Sequence, residues 1–184
     1  MVAGFYVGLA LLVIVTWVLF AYHRFAHYGQ VADKAWEDIA STLANRSNLI
    51  LELIAALRRL GAADQATLDR IRRAHERSLA ATGPREHADA QDSLQATLFS
   101  LFVSLEGSPH VTTDAGLEEV QQALARAEDD MHKPRKLYNA AVEELNYEIS
   151  SFPKNLIAAA FRIRVREYYE TAEEAQRNAP LVVL

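Results

Sequence analysis

Two patterns of apolar and polar positions divide this chain. From Met1 to Tyr22 it reads MVAGFYVGLALLVIVTWVLFAY, without one charged side chain. From Trp36 onward, apolar residues recur every three or four positions and polar ones fill the gaps. The first pattern suits a helix in an apolar medium. The second suits helices that bury one face each.

Twenty-two helical residues reach about 33 Å, the thickness of a bilayer's hydrocarbon core. Tyr6, Trp17 and Tyr22 are placed for the two interfaces, where amphipathic rings are favoured. A cleaved signal peptide needs a basic leading region and small residues at the cut. Nothing basic precedes the run except the α-amino group, and Phe20-Ala21-Tyr22-His23 is bulky, so an uncleaved anchor is expected. Arg24 and Lys34 flank only the far side, with His23 and His27 partly protonatable. The positive-inside rule then puts the N-terminus outside and the domain in the cytoplasm, at the inner or plasma membrane.

The rest reads as helix. Trp36, Ile39, Leu43, Ile50, Leu53, Leu57 and Leu60 form one face, interrupted by Arg46. Gly61 stops that helix, and Asp64 can cap the next, which runs to about Ala81 with Leu68, Ile71, His75 and Leu79 on one face. After Thr82-Gly83-Pro84, a third helix from about Glu86 to Leu105 carries Leu94, Leu98, Leu101 and Leu105. The fourth carries Leu117, Val120, Leu124, Ala127, Met131, Tyr138, Ala141, Leu145, Ile149 and Phe152. Pro134 falls inside it; because the register survives, a kink near Asp130–Pro134 is expected rather than two helices. An amphipathic piece, Leu156–Phe161, follows, then an alternating run to Arg166, an acidic stretch and an apolar tail, Pro180–Leu184.

The expected fold is all-α: an N-terminal transmembrane helix, then an antiparallel up-and-down bundle of about four long, coiled-coil-like helices, then a short C-terminal segment. The segmentation is 1–22 transmembrane, 23–35 helical linker, 36–161 bundle and 162–184 C-terminal segment and tail.

Composition narrows the function. Seven Gly and five Pro are too few for an all-β chain rich in turns, and zero Cys removes disulfides, thiolate metal sites and Cys nucleophiles. A formal charge of −5 argues against nucleic acid as a partner. No Walker loop, Gly-x-Ser-x-Gly, His-Glu-x-x-His or EF-hand spacing occurs. A di-iron bundle site needs paired Glu-x-x-His motifs, and Asp129–His132 offers a single Asp-x-x-His. His23 and His27, one turn apart, fit a membrane interface better than a metal. Adjacent acids such as Glu118/Glu119 diverge on a helix. No catalytic residue, metal, cofactor or identified small molecule is therefore expected.

Polar residues that break the apolar pattern are the candidate site. Arg46 occupies a core position, with Asn45 and Asn48 beside it. Glu128, Arg135, Asn139 and Asn146 lie near one stripe of the fourth helix. A buried charge needs a partner, and Glu128, Glu143 and Glu144 are candidates for Arg46. The alternatives are that Arg46 snorkels to the bundle edge, that the residues form a register-setting polar seam, or that they line a ligand site. Two basic groups are candidate membrane or partner contacts: Arg58, Arg59, Arg72 and Arg73, and the alternating Arg162, Arg164 and Arg166. Either group is also consistent with a plain solvated surface or loop.

These segments resemble the LemA family. The similarity starts at Val31–Ile39, like the family's segment ending in Ala-Trp-x-x-Ile, and continues at Leu43–Ile50. It is clearest at Tyr138-Asn139, Asn146 and Phe152-Pro153-x-Asn155-Leu156-Ile157-Ala158, and Arg166–Tyr169 is like the family's "EYFE". It covers essentially the whole chain, with departures at Asn48, Leu51 and Glu52, where the family has Asp, Pro and Asn. The resemblance implies a single-pass bacterial membrane protein with a helical bundle; some relatives are associated with envelope stress or with membrane compartments. The expected function is a membrane-anchored interaction or scaffold protein, a homo-oligomer or part of a larger membrane assembly. The alternative is a ligand-sensing module using a polar pocket around Arg46, Asn139 and Asn146. For assembly, Gly4 and Gly8 give a Gly-x-x-x-Gly spacing, and Pro180–Leu184 could pair with a neighbour's Phe161–Arg166.

Overall fold

The computed structural model describes residues 2–107, 114–171 and 174. Among these there are five helices and no strand: α1 (Val2–Leu60), α2 (Gln65–Ala80), α3 (Pro84–Leu105), α4 (Ala115–Ser150) and α5 (Lys154–Ala160). The tail Pro180–Leu184 and its possible strand exchange lie outside the described residues.

Local chemistry explains where each helix starts and stops. α1 contains no Pro, and its 59 residues run unbroken from the apolar run through residues 23–35 to Leu60. It closes in a Schellman motif: Gly61, at φ +60°, donates to Arg58 O at 3.2 Å, and Ala62 donates to Leu57 O at 3.0 Å. The Asp64 carboxylate caps α2 by accepting from the Thr67 N–H at 2.8 Å. Gly83, at φ +83°, turns the chain so that Pro84 can open α3. Asp114 caps α4 at the Leu117 N–H, 2.9 Å away. Pro134 sits inside α4, and the helix runs continuously through it, in keeping with one helix rather than two. A cis Phe152–Pro153 bond separates α4 from α5.

The chain forms two compact units. One comprises residues up to Trp36 together with Lys136–Arg166; the other comprises Glu37–Arg135 and the described residues from Glu167.

The second unit is a leucine-rich four-helix core. Ile50, Leu53 and Leu57 of α1 meet Leu68 and Ile71 of α2, Leu94, Leu98, Leu101 and Leu105 of α3, and Leu117 and Leu124 of α4. One stripe position differs from expectation. Leu79 is exposed and Ser78 is buried in its place. At 3.6 residues per turn, two turns on from the fully buried Ile71 fall at about position 78, and Ser78 accepts there from Gln91 Nε2 at 2.5 Å.

The first unit is smaller-grained. Ala21 and Phe25 of α1 pack with Leu145 and Ile149 of α4 and Ile157 and Ala158 of α5, and Trp17, Val18, Tyr28 and Ile163 lie against them. Trp36 and Tyr138 add a ring contact at 5.6 Å. Phe152, expected to end the α4 core stripe, is 81% exposed. It falls after the last helical residue, Ser150, where the helical period no longer directs its side chain.

Candidate functional site

Arg46 is the anomaly around which the second unit is built. It lies mid-helix on the buried face of α1, four residues before Ile50, and is 5% exposed. Its Nη1 pairs with Oε2 of Glu128 on α4. Glu128 is half-buried, and Gln95, with its amide nitrogen turned toward it, donates to both carboxylate oxygens at 3.0 Å. Of the three carboxylates considered for Arg46, Glu143 and Glu144 are exposed and belong to the other unit.

A polar cavity of about 260 Å³ opens beside this pair, lined among others by Arg46, Gln91, Glu128, Arg135, Tyr169 and Glu174. Arg135 pairs with Glu174 and donates from Nε to the Tyr169 carbonyl at 3.3 Å. Burial would raise the Glu174 carboxyl, but the Thr171 N–H and Arg135 outweigh it and hold it below the usual range. Burial pushes the Tyr169 hydroxyl up to about 12, so it stays protonated. Among the described residues, Arg46 Nε and Gln91 Oε1 are buried without a hydrogen-bond partner. A buried donor or acceptor left unpaired costs about 1–3 kcal/mol, so this donor and acceptor are the natural points for a polar guest.

Arg46 and Gln91 also border a second cavity of about 380 Å³, with Ser47, Asn48, His75 and His87. His75 Nε2 shares a 2.7 Å hydrogen bond with Ser47 Oγ. Burial pulls both His75 and His87 below the ordinary imidazole value.

The first unit buries a charge of the opposite sign. Glu148 is 2% exposed and is held by Arg24 at 2.9 Å and by Lys154. Nearby, Asn146 accepts from the Arg166 N–H at 2.8 Å and donates to the Arg166 carbonyl at 2.9 Å. The Arg166 guanidinium reaches Asp33 and the Gly29 carbonyl.

The seven polar positions expected to form one seam are therefore distributed. Arg46, Glu128 and Arg135 meet at one cavity. Asn139, which is half-buried, and Asn146 belong to the other unit. Asn45 and Asn48 are exposed, Asn48 at the rim of the second cavity. Neighbouring helix positions differ by about 100°, so Asn45 cannot share the inward direction of Arg46. Of the basic candidates, Arg58, Arg73, Arg162 and Arg164 are exposed. Arg59 pairs with Asp114 at 2.9 Å and Arg72 with Asp69 at 2.8 Å. Arg166 is occupied within its own unit.

Sequence reasoning missed Glu148, Gln91, Tyr169 and Glu174. The first two had a signal: Glu148 lies three residues after Leu145, and Gln91 three before Leu94, so each falls on an apolar stripe. Tyr169 and Glu174 follow the last helix, where no periodicity points inward.

One helix among the described residues is long and apolar enough to cross a membrane, and almost none of its apolar window is buried. Fold and clusters together define an all-helical bundle protein with a candidate N-terminal membrane anchor. Residues 35–183 match the LemA family, and the chain belongs to it. The apolar run lies outside the matched residues, so the match supports the resemblance from residue 35 and not across the whole chain. No curated protein matches the chain.

Proposed function

We propose that this LemA-family chain is a non-catalytic, membrane-anchored interaction protein that assembles with copies of itself or with other membrane proteins. Its N-terminus is outside and its helical units are on the cytoplasmic face. The observation that carries the assembly reading is an apolar face on α3. Phe99, 70% exposed, and Val103 lie one turn apart on its outer side. Phe99 also borders a groove of about 350 Å³ with Leu98, Phe102 and Leu124. Apolar surface of this kind marks interaction sites. Mild-detergent extraction followed by mass measurement tests it. A defined oligomer that Phe99→Glu weakens is the expected result; a strictly monomeric particle in detergent and in nanodiscs, with no crosslinked neighbours in the cell, overturns it. For topology, a membrane-impermeant thiol reagent on intact cells should fail to modify a Gly83→Cys variant; modification there overturns the orientation.

A second reading, ligand sensing, is favoured by the unpartnered Arg46 Nε and Gln91 Oε1 at the same cavity. Asn139 and Asn146 drop out of that pocket. A small zwitterion offers an acceptor to Arg46 and a donor to Gln91. A thermal-shift series with free amino acids should then show stabilisation that Gln91→Leu abolishes, and no shift with any of them overturns the reading.

A further inference from the structure

The first unit presents a surface that neither its core nor its ion pairs account for. α5 turns Ile157 and Ala158 inward, onto Ala21 and Phe25 of α1. Its other side, with the residues flanking it, leaves Phe152, Leu156 (63% exposed), Phe161 and Val165 outward. These four are large apolar side chains within fourteen residues of a unit whose other face is well packed.

Their position along α1 is specific. Trp17, Val18 and Ala21, in the last turns of the apolar run, pack with the cluster that includes Ile157 and Ala158. The Phe161 ring lies 5.2 Å from that of Tyr22, the final residue of the run. If Met1–Tyr22 spans a bilayer, α5 and residues 161–165 lie where hydrocarbon gives way to headgroups.

Charge agrees with that depth. Glu148 takes up Arg24 and Lys154, and Asp33 takes up Arg166. Arg162 and Arg164 remain exposed, alternating with Phe161, Ile163 and Val165. Arg162 also holds a position that ordinarily favours glycine. Its φ is +56°, and Ile163 closes the end of α5 by donating to the Ala158 carbonyl at 2.9 Å. A left-handed arginine carries a steric cost that glycine would not. The side chain retained there is cationic and points to solvent.

We propose that Phe152–Val165 is an interfacial element that lies on an anionic lipid surface. Phe152, Leu156 and Phe161 enter the headgroup–acyl boundary, and Arg162 and Arg164 meet lipid phosphates. Apolar side chains beside snorkelling arginines are the composition such elements use. This rests on the reading of Met1–Tyr22 as a membrane span, and the experiment separates the two.

The chain has no Cys, so single thiols can be placed by Leu156→Cys, Val13→Cys and Lys34→Cys in the full chain. Val13 lies within the apolar run, and Lys34 is twelve residues past Tyr22, about 18 Å along the helix. Each variant carries an environment-sensitive fluorophore in vesicles of phosphatidylcholine and phosphatidylglycerol, with a nitroxide on the acyl chain near the headgroup. Quenching at Val13 and Leu156 should exceed that at Lys34 several-fold. Arg162→Gln with Arg164→Gln, or vesicles of phosphatidylcholine alone, should lower the Leu156 signal several-fold, and the paired Arg→Lys changes should retain it. Strong quenching at Val13 with Leu156 no higher than Lys34 overturns the interfacial element while the anchor stands. A Leu156 label shielded from water only at high protein-to-lipid ratios identifies a second copy as the occupant and also overturns it. A Leu156 signal indifferent to lipid charge and to both arginines overturns the phosphate contact. No quenching at Val13 removes the anchor, and the proposal with it.

Discussion

Among the described residues each compact unit buries one charge, and the two burials differ in how fully they are compensated. Glu148, in the first unit, is held by two cations, Arg24 and Lys154. Arg46, in the second, has one carboxylate, Glu128, which is itself about a third exposed, and its Nε is left unpaired beside a cavity. A carboxylate held from two sides is a structural rivet. A guanidinium held at one corner keeps donor capacity in reserve. The same contrast holds for the cores. The second unit closes α1 and α4 with two further long helices and large aliphatics, whereas the first has only the seven-residue α5 and leaves aromatics outside. Burying a charge therefore says little by itself; the number of partners separates a staple from a candidate site.

That comparison breaks most clearly at Glu128. Glu128→Ala strips Arg46 of its carboxylate while the cation stays buried, which should cost about 3–5 kcal/mol. Arg46→Met should cost less than half as much, because the remaining Glu128 is partly solvated and keeps Gln95. Thermal unfolding of the full chain in detergent, followed by circular dichroism, ranks the two. Equal costs would mean that the pair is not asymmetric.

In the first unit, the larger effect belongs to an uncharged side chain. Asn146→Ala loses both hydrogen bonds to the Arg166 backbone and should cost about 1–3 kcal/mol. Limited proteolysis should show faster cleavage within residues 161–166. Unchanged cleavage would show that the segment is held by other contacts.

Lys154→Ala should stay within about 1 kcal/mol, because Arg24 still reaches Glu148 at 2.9 Å. A loss as large as that of Glu128→Ala would erase the distinction between the two buried charges.

The smallest effect is with pH. Burial lowers His75 and His87 below the usual 6.5, so the unfolded chain binds their protons more readily. The stability they lend is complete above that value and is lost as pH falls through the lowered folded values. Melting temperature should therefore drop between about pH 7 and pH 5, and His75→Gln should flatten the slope. A variant that melts with the unchanged pH dependence would assign the effect elsewhere.

Much of this architecture is legible in the chain. Gly61, Asp64 and Gly83-Pro84 stop and start helices through local backbone chemistry, so their positions need no knowledge of the fold. Three-and-four spacing identifies the buried faces of α1, α3 and α4 because it reports an angle around one helix axis. It also exposes Arg46 as a charge in a core position. The length and lack of charge of the apolar run are likewise a property of Met1–Tyr22 alone. Tertiary structure decided the rest. Which carboxylate meets Arg46 depends on the axial register of α4 against α1, and the choice among Glu128, Glu143 and Glu144 follows only once the helices are packed. The exposure of Phe152, the capture of Arg166 by Asn146, and the arrival of Tyr169 and Glu174 at the Arg135 side of the cavity all occur outside α1–α5. Outside α1–α5 no repeating angle links neighbouring side chains, so their directions are set by what the rest of the protein places beside them.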